Sequence, residues 1–446
     1  MNLEPVVSQG SLFRYSFLAL PLAFAGLPIY MLAPDFYSVH MQLSLSTLGA
    51  GLFMLRFVDA FLDPVLGRSI DRFIGNAGVI GGVACALLCL GFFMLFSPPQ
   101  MGQTYLGIWF FISVFVVTLG FSALTILYGS VGALWSKEAS KQTLITSHRE
   151  AMTLAGLILS ISIPFMLMEL LTARTAYFVL ILVFFVLVIP FFWCYQSIQR
   201  EILKFALASD NRNGGDAPVL ENQAPKLSMI FLYFSYGISA TASALPAVLV
   251  VFFVRDYLGS QGFIGLALVI YFLSGALSMP LWYRLAKKVG KLRAWQLSMI
   301  LAILSFTWVC LLSPGDYLFY ALICFTSGIA LGAEMALPPA ILAEYMVGKS
   351  RRSVAQKYSW LTMLSKLSLA LAAGVCLPLL GAVGFVAGSI NSADSLRVLL
   401  LLYGALPGVL KLLALVVTQA WIYKERTSKN YADIKVFSNT RSMPDA

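Results

Sequence analysis

Six charged side chains lie where the chain is otherwise apolar: Arg56, Asp59, Asp63, Glu334, Lys366 and Lys411. A charge at mid-bilayer costs ~3 kcal/mol on insertion scales, so a chain that keeps one inside a membrane has a use for it. Three of the six are basic and three acidic, so the set is also able to neutralise itself as ion pairs between helices. Arg56, Asp59 and Asp63 fall at i, i+3 and i+7, which places them on one helix face. Two carboxylates this close resist ionising together, so one of them can hold a proton. Pro64 follows and cannot donate to the carbonyl of Ala60, adding a free oxygen beside the two acids. The chemistry such a face supports is reversible binding of a proton or a small cation. Glu334 precedes Pro338 and Pro339, and Lys411 lies one turn past Pro407. With Pro21, Pro28 and Pro246, these prolines interrupt segments in both halves of the chain and point to a central cavity.

The elements that position these residues are membrane helices. Of 446 residues, 59% are apolar and only 11% charged, against ~25% charged in a soluble protein. Mean hydropathy of +0.85 excludes a soluble enzyme, a disordered chain and a disulfide-stapled domain. A span needs ~20 apolar residues, and twelve such segments follow: 13–33, 46–66, 77–97, 104–134, 149–169, 174–197, 227–254, 262–286, 292–313, 316–345, 358–386 and 395–423. The first reads as a transmembrane helix and not a cleaved leader, because its apolar run continues past Ala23-Phe24-Ala25 to Leu32. The expected organisation is an N-terminal six-helix bundle (1–197), a polar linker (198–226), a C-terminal six-helix bundle (227–423) and a charged tail (424–446). The six cysteines fall inside apolar runs, and Cys85 and Cys89, four apart on one helix face, read as packing residues.

The net charge of +10 does not indicate nucleic acid, because the bases flank the apolar segments. With the N-terminus in the cytoplasm, 24 Lys and Arg fall on the inner side, three (Arg174, Arg255, Arg397) on the outer side and three within spans. That bias predicts both termini inside a plasma membrane, in contact with the lipid bilayer. The two histidines, His40 and His148, lie in different compartments, and no nucleophile series, metal motif or phosphate-binding loop occurs. The expectation is a monomer with no enzymatic activity, cofactor or metal.

A weak internal repeat supports six plus six. The loop after the second segment reads Gly67-Arg68-Ser69-Ile70-Asp71-Arg72, and the loop after the eighth is Arg284-Leu285-Ala286-Lys287-Lys288-Val289-Gly290-Lys291. The first resembles the G-x-x-x-D-R signature of the major facilitator superfamily, in which the acid caps a neighbouring helix end. The resemblance implies an all-α fold of two pseudo-symmetric six-helix bundles. Arg56-Phe57-Val58-Asp59-Ala60-Phe61-Leu62-Asp63-Pro64-Val65-Leu66-Gly67 further resembles the second helix of the glycoside–pentoside–hexuronide:cation symporters, the melibiose-permease branch. Arg149 in Ser147-His148-Arg149-Glu150 and Lys366 in the eleventh segment are similar to residues of the same family. This implies that Asp59 and Asp63 bind the coupling cation, H+ or Na+, with Lys366 beside them as a competing charge. The family's sugar-binding acids fall at Ala23 and near Leu124, its tryptophan at Tyr128, an asparagine at Leu62 and a threonine at Phe121.

The expected function is secondary active transport of a small organic solute, cation-coupled, by alternating access. A non-transporting sensor or assembly factor of the same fold is the other class. Gly67, Asp71, Arg72 and Glu150 are expected at a cytoplasmic gate. Arg56, Tyr128, Arg149, Glu334, Lys366 and Lys411 are expected as charge pairs or cavity residues. Lys366, Lys411 and Arg56 as donors opposite Glu334 would suit an anion or a zwitterion; a Glu334–Lys411 pair that neutralises itself would instead leave an apolar cavity for an amphipathic ligand.

Overall fold

Long apolar stretches leave backbone groups no partner but their own helix, and the chain is helical almost throughout. The computed structural model describes residues 7–33, 36–37, 41–43, 45–136, 138–212, 226–260, 262–346 and 353–440. His40, Lys137, Lys349, Arg351, Arg352, Arg441 and linker residues 213–225 lie outside the described residues.

The helix α1 is broken: Gln9–Ser16, then Ala19–Leu27, then a π turn over Pro28–Leu32. There follow α2 (Leu45–Arg72), α3 (Ala77–Phe96), α4 (Gln103–Leu134), α5 (Ala139–Leu170) and α6 (Ala173–Arg212). The second set is α7 (Lys226–Phe252, ending in a π turn Phe253–Tyr257), α8 (Phe263–Val289), α9 (Lys291–Val309), α10 (Tyr317–Met346) and α11 (Val354–Ala382). The last, α12, runs through Ala393–Leu400, a π turn Leu401–Ala405 and Leu406–Thr440. Among the described residues there is no strand, and nine helices are long and apolar enough to cross a membrane.

Three boundaries differ from the sequence reading. The α5 helix starts at Ala139, ten residues before the expected 149, because buried polar groups substitute for apolar ones there. Gln142 and Thr146 are buried, and Gln142 Nε2 donates to the Ala133 carbonyl at 2.8 Å. The α6 helix continues to Arg212, into the segment expected as linker; Ile198, Ile202 and Leu203 are buried along it. The α12 helix likewise continues to Thr440, through most of the segment expected as a tail.

One apolar core joins residues from Leu12 to Leu203, and a second joins residues from Ala244 to Tyr403. Between the two sets of helices, α2 packs on α11 and α5 on α8, pairs that exchange when six is added to each label. The α4 and α5 helices also touch α10.

Candidate functional site

All six charges of interest lie near helix middles, and five of them meet in two clusters. On α2, Asp59 and Asp63 are one turn apart and both buried, at 6% and 0% exposure. The Lys366 ammonium arrives from α11 and sits between them, 2.9 Å from Asp59 Oδ2 and 2.8 Å from Asp63 Oδ1. Ser122 of α4 completes the cluster: its hydroxyl donates to Asp59 Oδ1 at 2.9 Å and accepts from Lys366 at 2.6 Å. Asp63 Oδ2 is buried and makes no hydrogen bond. One ammonium thus holds two carboxylates across the interface between α2 and α11. Arg56 is half-buried one turn before Asp59 on the same helix.

The second cluster lies within the C-terminal set. Lys411 of α12, 1% exposed, pairs with Glu334 Oε2 of α10. It also donates to the Ser239 carbonyl at 3.0 Å, the Ser239 hydroxyl at 2.9 Å and the Ser243 hydroxyl at 2.8 Å, all on α7. The Ser243 hydroxyl donates to Glu334 Oε2 at 2.8 Å. Four acceptors surround an ammonium with three N–H groups, so Lys411 has nothing left for a solute. Glu334 Oε1 is buried and unpartnered.

The residues expected at a gate divide. Asp71 lies at the α2–α11 interface, where its carboxylate accepts from the backbone N–H of Ala355 at 2.9 Å and of Gln356 at 2.8 Å. It thereby caps the N-terminus of α11, whose own Ser353 makes no side-chain cap bond. Gly67 lies one turn earlier, where a Cβ would come within 2.5 Å of Ser359 Oγ and 2.8 Å of the Gln356 backbone. No larger residue fits without moving α11. Arg72, by contrast, is exposed, and its guanidinium stands 5.6 Å over the ring of its neighbour Phe73. It is a flanking base, not a contact between helix sets.

Glu150 is held by its neighbour Arg149, whose Nε donates to Oε1 at 2.8 Å. The Arg149 guanidinium lies 5.9 Å over the Tyr128 ring. Tyr128 is no free cavity group: its hydroxyl donates to the Tyr15 carbonyl at 2.9 Å, and Tyr15 returns a bond to the Tyr128 carbonyl at 2.9 Å. Tyr358 of α11 packs against Gly129 of α4, where a Cβ would stand 3.0 Å from its ring, and its hydroxyl donates to the Pro339 carbonyl at 3.0 Å. Sequence reasoning missed Tyr15, Ser122, Ser239, Ser243 and Tyr358. Hydroxyl residues are common in apolar helices, and only Ser239 and Ser243, four apart, carry a spacing signal.

Comparison with known proteins places the chain in a family. A family model described as MFS/sugar transport protein matches residues 13–424. The uncharacterized symporter YjmB of Bacillus subtilis (strain 168) is 25% identical over 381 residues, covering 81% of this chain and 81% of that protein. Among solved structures, a bacterial homologue of the iron transporter ferroportin in its outward-facing state aligns with a TM-score of 0.64 at 16% identity, over 93% of this chain and 99% of that one. The E. coli fucose:proton symporter FucP aligns with a TM-score of 0.59 at 14% identity, over 92% and 97% of the two chains. At these identities the two structures speak for the fold alone, which is that of major facilitator transporters. With the family model spanning nearly the whole chain, the protein belongs to the MFS/sugar transport family of the major facilitator superfamily.

Proposed function

We propose that the protein carries a small organic solute across the cytoplasmic membrane as a secondary active symporter, driven by a cation bound at Asp59 and Asp63. The observation that carries this reading is the Lys366 ammonium shared by both carboxylates between α2 and α11. Two acids share one ammonium, and a monovalent cation that joins one of them relieves that shared demand inside a low-dielectric cluster. With the cation bound at one acid, that acid no longer needs the lysine, and one of the two ties between α2 and α11 loosens. Cation binding and movement of the halves, residues 1–197 against 227–423, are coupled in that way. The similarity to a Bacillus symporter supports ion coupling.

A proton suits the cluster better than Na+. A metal cation needs several oxygens free of other duty, and three of the four carboxylate oxygens here already hold Lys366 or Ser122. A proton needs one oxygen, and Asp63 Oδ2 is free. The test is uptake of labelled neutral sugars, hexuronates and amino acids into proteoliposomes under imposed pH or Na+ gradients. With one proton per solute, a one-unit pH gradient sustains about tenfold accumulation, since 1.4 kcal/mol is a factor of ten. Asp63→Asn should abolish that accumulation while exchange of solute across the membrane persists. Accumulation by Asp63→Asn equal to that of the wild type would remove the coupling role. Drive by Na+ alone would replace the proton.

A further inference from the structure

We infer that Glu334 divides its two oxygens between structure and ligand, and that its Oε1 accepts a hydroxyl group of a neutral, hydroxyl-bearing solute. The inference rests on the transporter reading and adds a second contact, in the C-terminal set of helices. Glu334 Oε2 is taken by Lys411 and Ser243. Its Oε1 has no partner although the side chain is nine-tenths buried. A buried acceptor left empty is unfavourable, which makes it a place where a donor gains more than it would in water.

Glu334 lines a cavity of about 10 Å³ with Ser243, Tyr271, Phe306, Leu331 and Lys411. That is room for one water or one hydroxyl group. Phe306, Lys411, Ser327 and Ala330 of the lining are buried, and Ser243, Tyr271, Leu331 and Glu334 are partly buried. Glu334 sits on α10, the helix that also meets α4 and α5 of the other set.

Charge selects the ligand. Lys411 already neutralises Glu334, so an anion would meet an acid with no spare donor and a cation would meet an ammonium. Of the other polar groups on the lining, Ser243 donates to Glu334 and Ser327 donates to the Ile323 carbonyl at 2.6 Å, which leaves the uncharged Tyr271 hydroxyl beside the acid. What Glu334 Oε1 lacks is a donor, and a neutral one adds no charge to the pair. Of the three donors expected from the sequence for an anion or zwitterion, Lys411 is the one fully engaged here.

The experiment is calorimetric titration of the purified full-length protein with neutral hexoses, pentoses and polyols, with hexuronates, and with amino sugars. Binding should fall among the neutral compounds. One monodeoxy analogue of the bound compound should lose about tenfold in affinity, and Glu334→Gln should lose a similar factor without a further loss for that analogue. Ala330→Val fills the same cavity without touching the charge pair and should weaken binding equally, which keeps the test sound if Glu334→Gln fails to fold. Wild-type affinity in Ala330→Val, binding confined to hexuronates or amino sugars, or no binding by any neutral compound would overturn the inference. Uptake assays separate the two readings. A compound bound through Glu334 but never carried removes the transporter; one carried equally by Glu334→Gln removes only this contact.

Discussion

Lys366 and Lys411 occupy opposite electrostatic situations. Lys366 serves two carboxylates and keeps 19% of its side chain exposed; Lys411 serves one and is sealed by three groups of α7. The first is an ammonium divided between two acids of α2, and the second is a tie among α7, α10 and α12. Lys411→Met should therefore strand the Glu334 carboxylate and cost ~3–5 kcal/mol of stability, read as a lower unfolding temperature in detergent. Adding Glu334→Gln to it should recover most of the loss. A double variant as unstable as the single one would mean that the pair does not carry the tie. The charged residues were legible from sequence because an ion in an apolar run stands out. Their hydroxyl partners were not: Ser122 reaches Asp59 from 63 positions away, and nothing local marks it among the other serines of the helices.

At the scale of helices, α2 and α11 pack along one another across the two helix sets. Their pairing is antiparallel, from Asp71 on the first turns of α11, past Gly67 against Ser359, to the acids on Lys366. Asp71 supplies to α11 a cap that its own flank lacks, and a carboxylate at a helix N-terminus is worth up to ~2 kcal/mol when partly buried. Asp71→Ala should leave the helices folded but speed amide hydrogen exchange at Ala355 and Gln356 by about tenfold, the factor carried by 1.4 kcal/mol. Unchanged protection there would show that packing alone holds the α11 end. Hydropathy located the middles of the helices and misplaced their ends. The first turns of α5 are polar yet buried, and the last turns of α6 are amphipathic, so both were invisible to a reading based on apolar runs.

For the whole molecule, every contact named here between α1–α6 and α7–α12 lies between the helix middles and the Asp71 end. There Ala133 joins the core of the C-terminal set, and Leu154 meets Met279 and Ala336. At the opposite end, Asp256 pairs with Arg255 and accepts from the Gly388 N–H at 3.1 Å, contacts that stay within the C-terminal set. Which compartment reaches Asp59 and Asp63 in this state then depends on orientation. Lys and Arg cluster at the Asp71 end, as cytoplasmic loops do, so that end should face inward and the acids should load from outside. Cysteine labelling decides it. Ile390 lies fully exposed in the loop before α12, and Lys288 is exposed in the last turn of α8, at opposite ends of the molecule. Ile390→Cys should react with a membrane-impermeant maleimide on intact cells, and Lys288→Cys only after permeabilisation. The reverse pattern would turn the molecule over, and the Asp71 closure would then seal the outside and expose the acids to the cytoplasm, opposite to the loading step of a cation-driven uptake cycle.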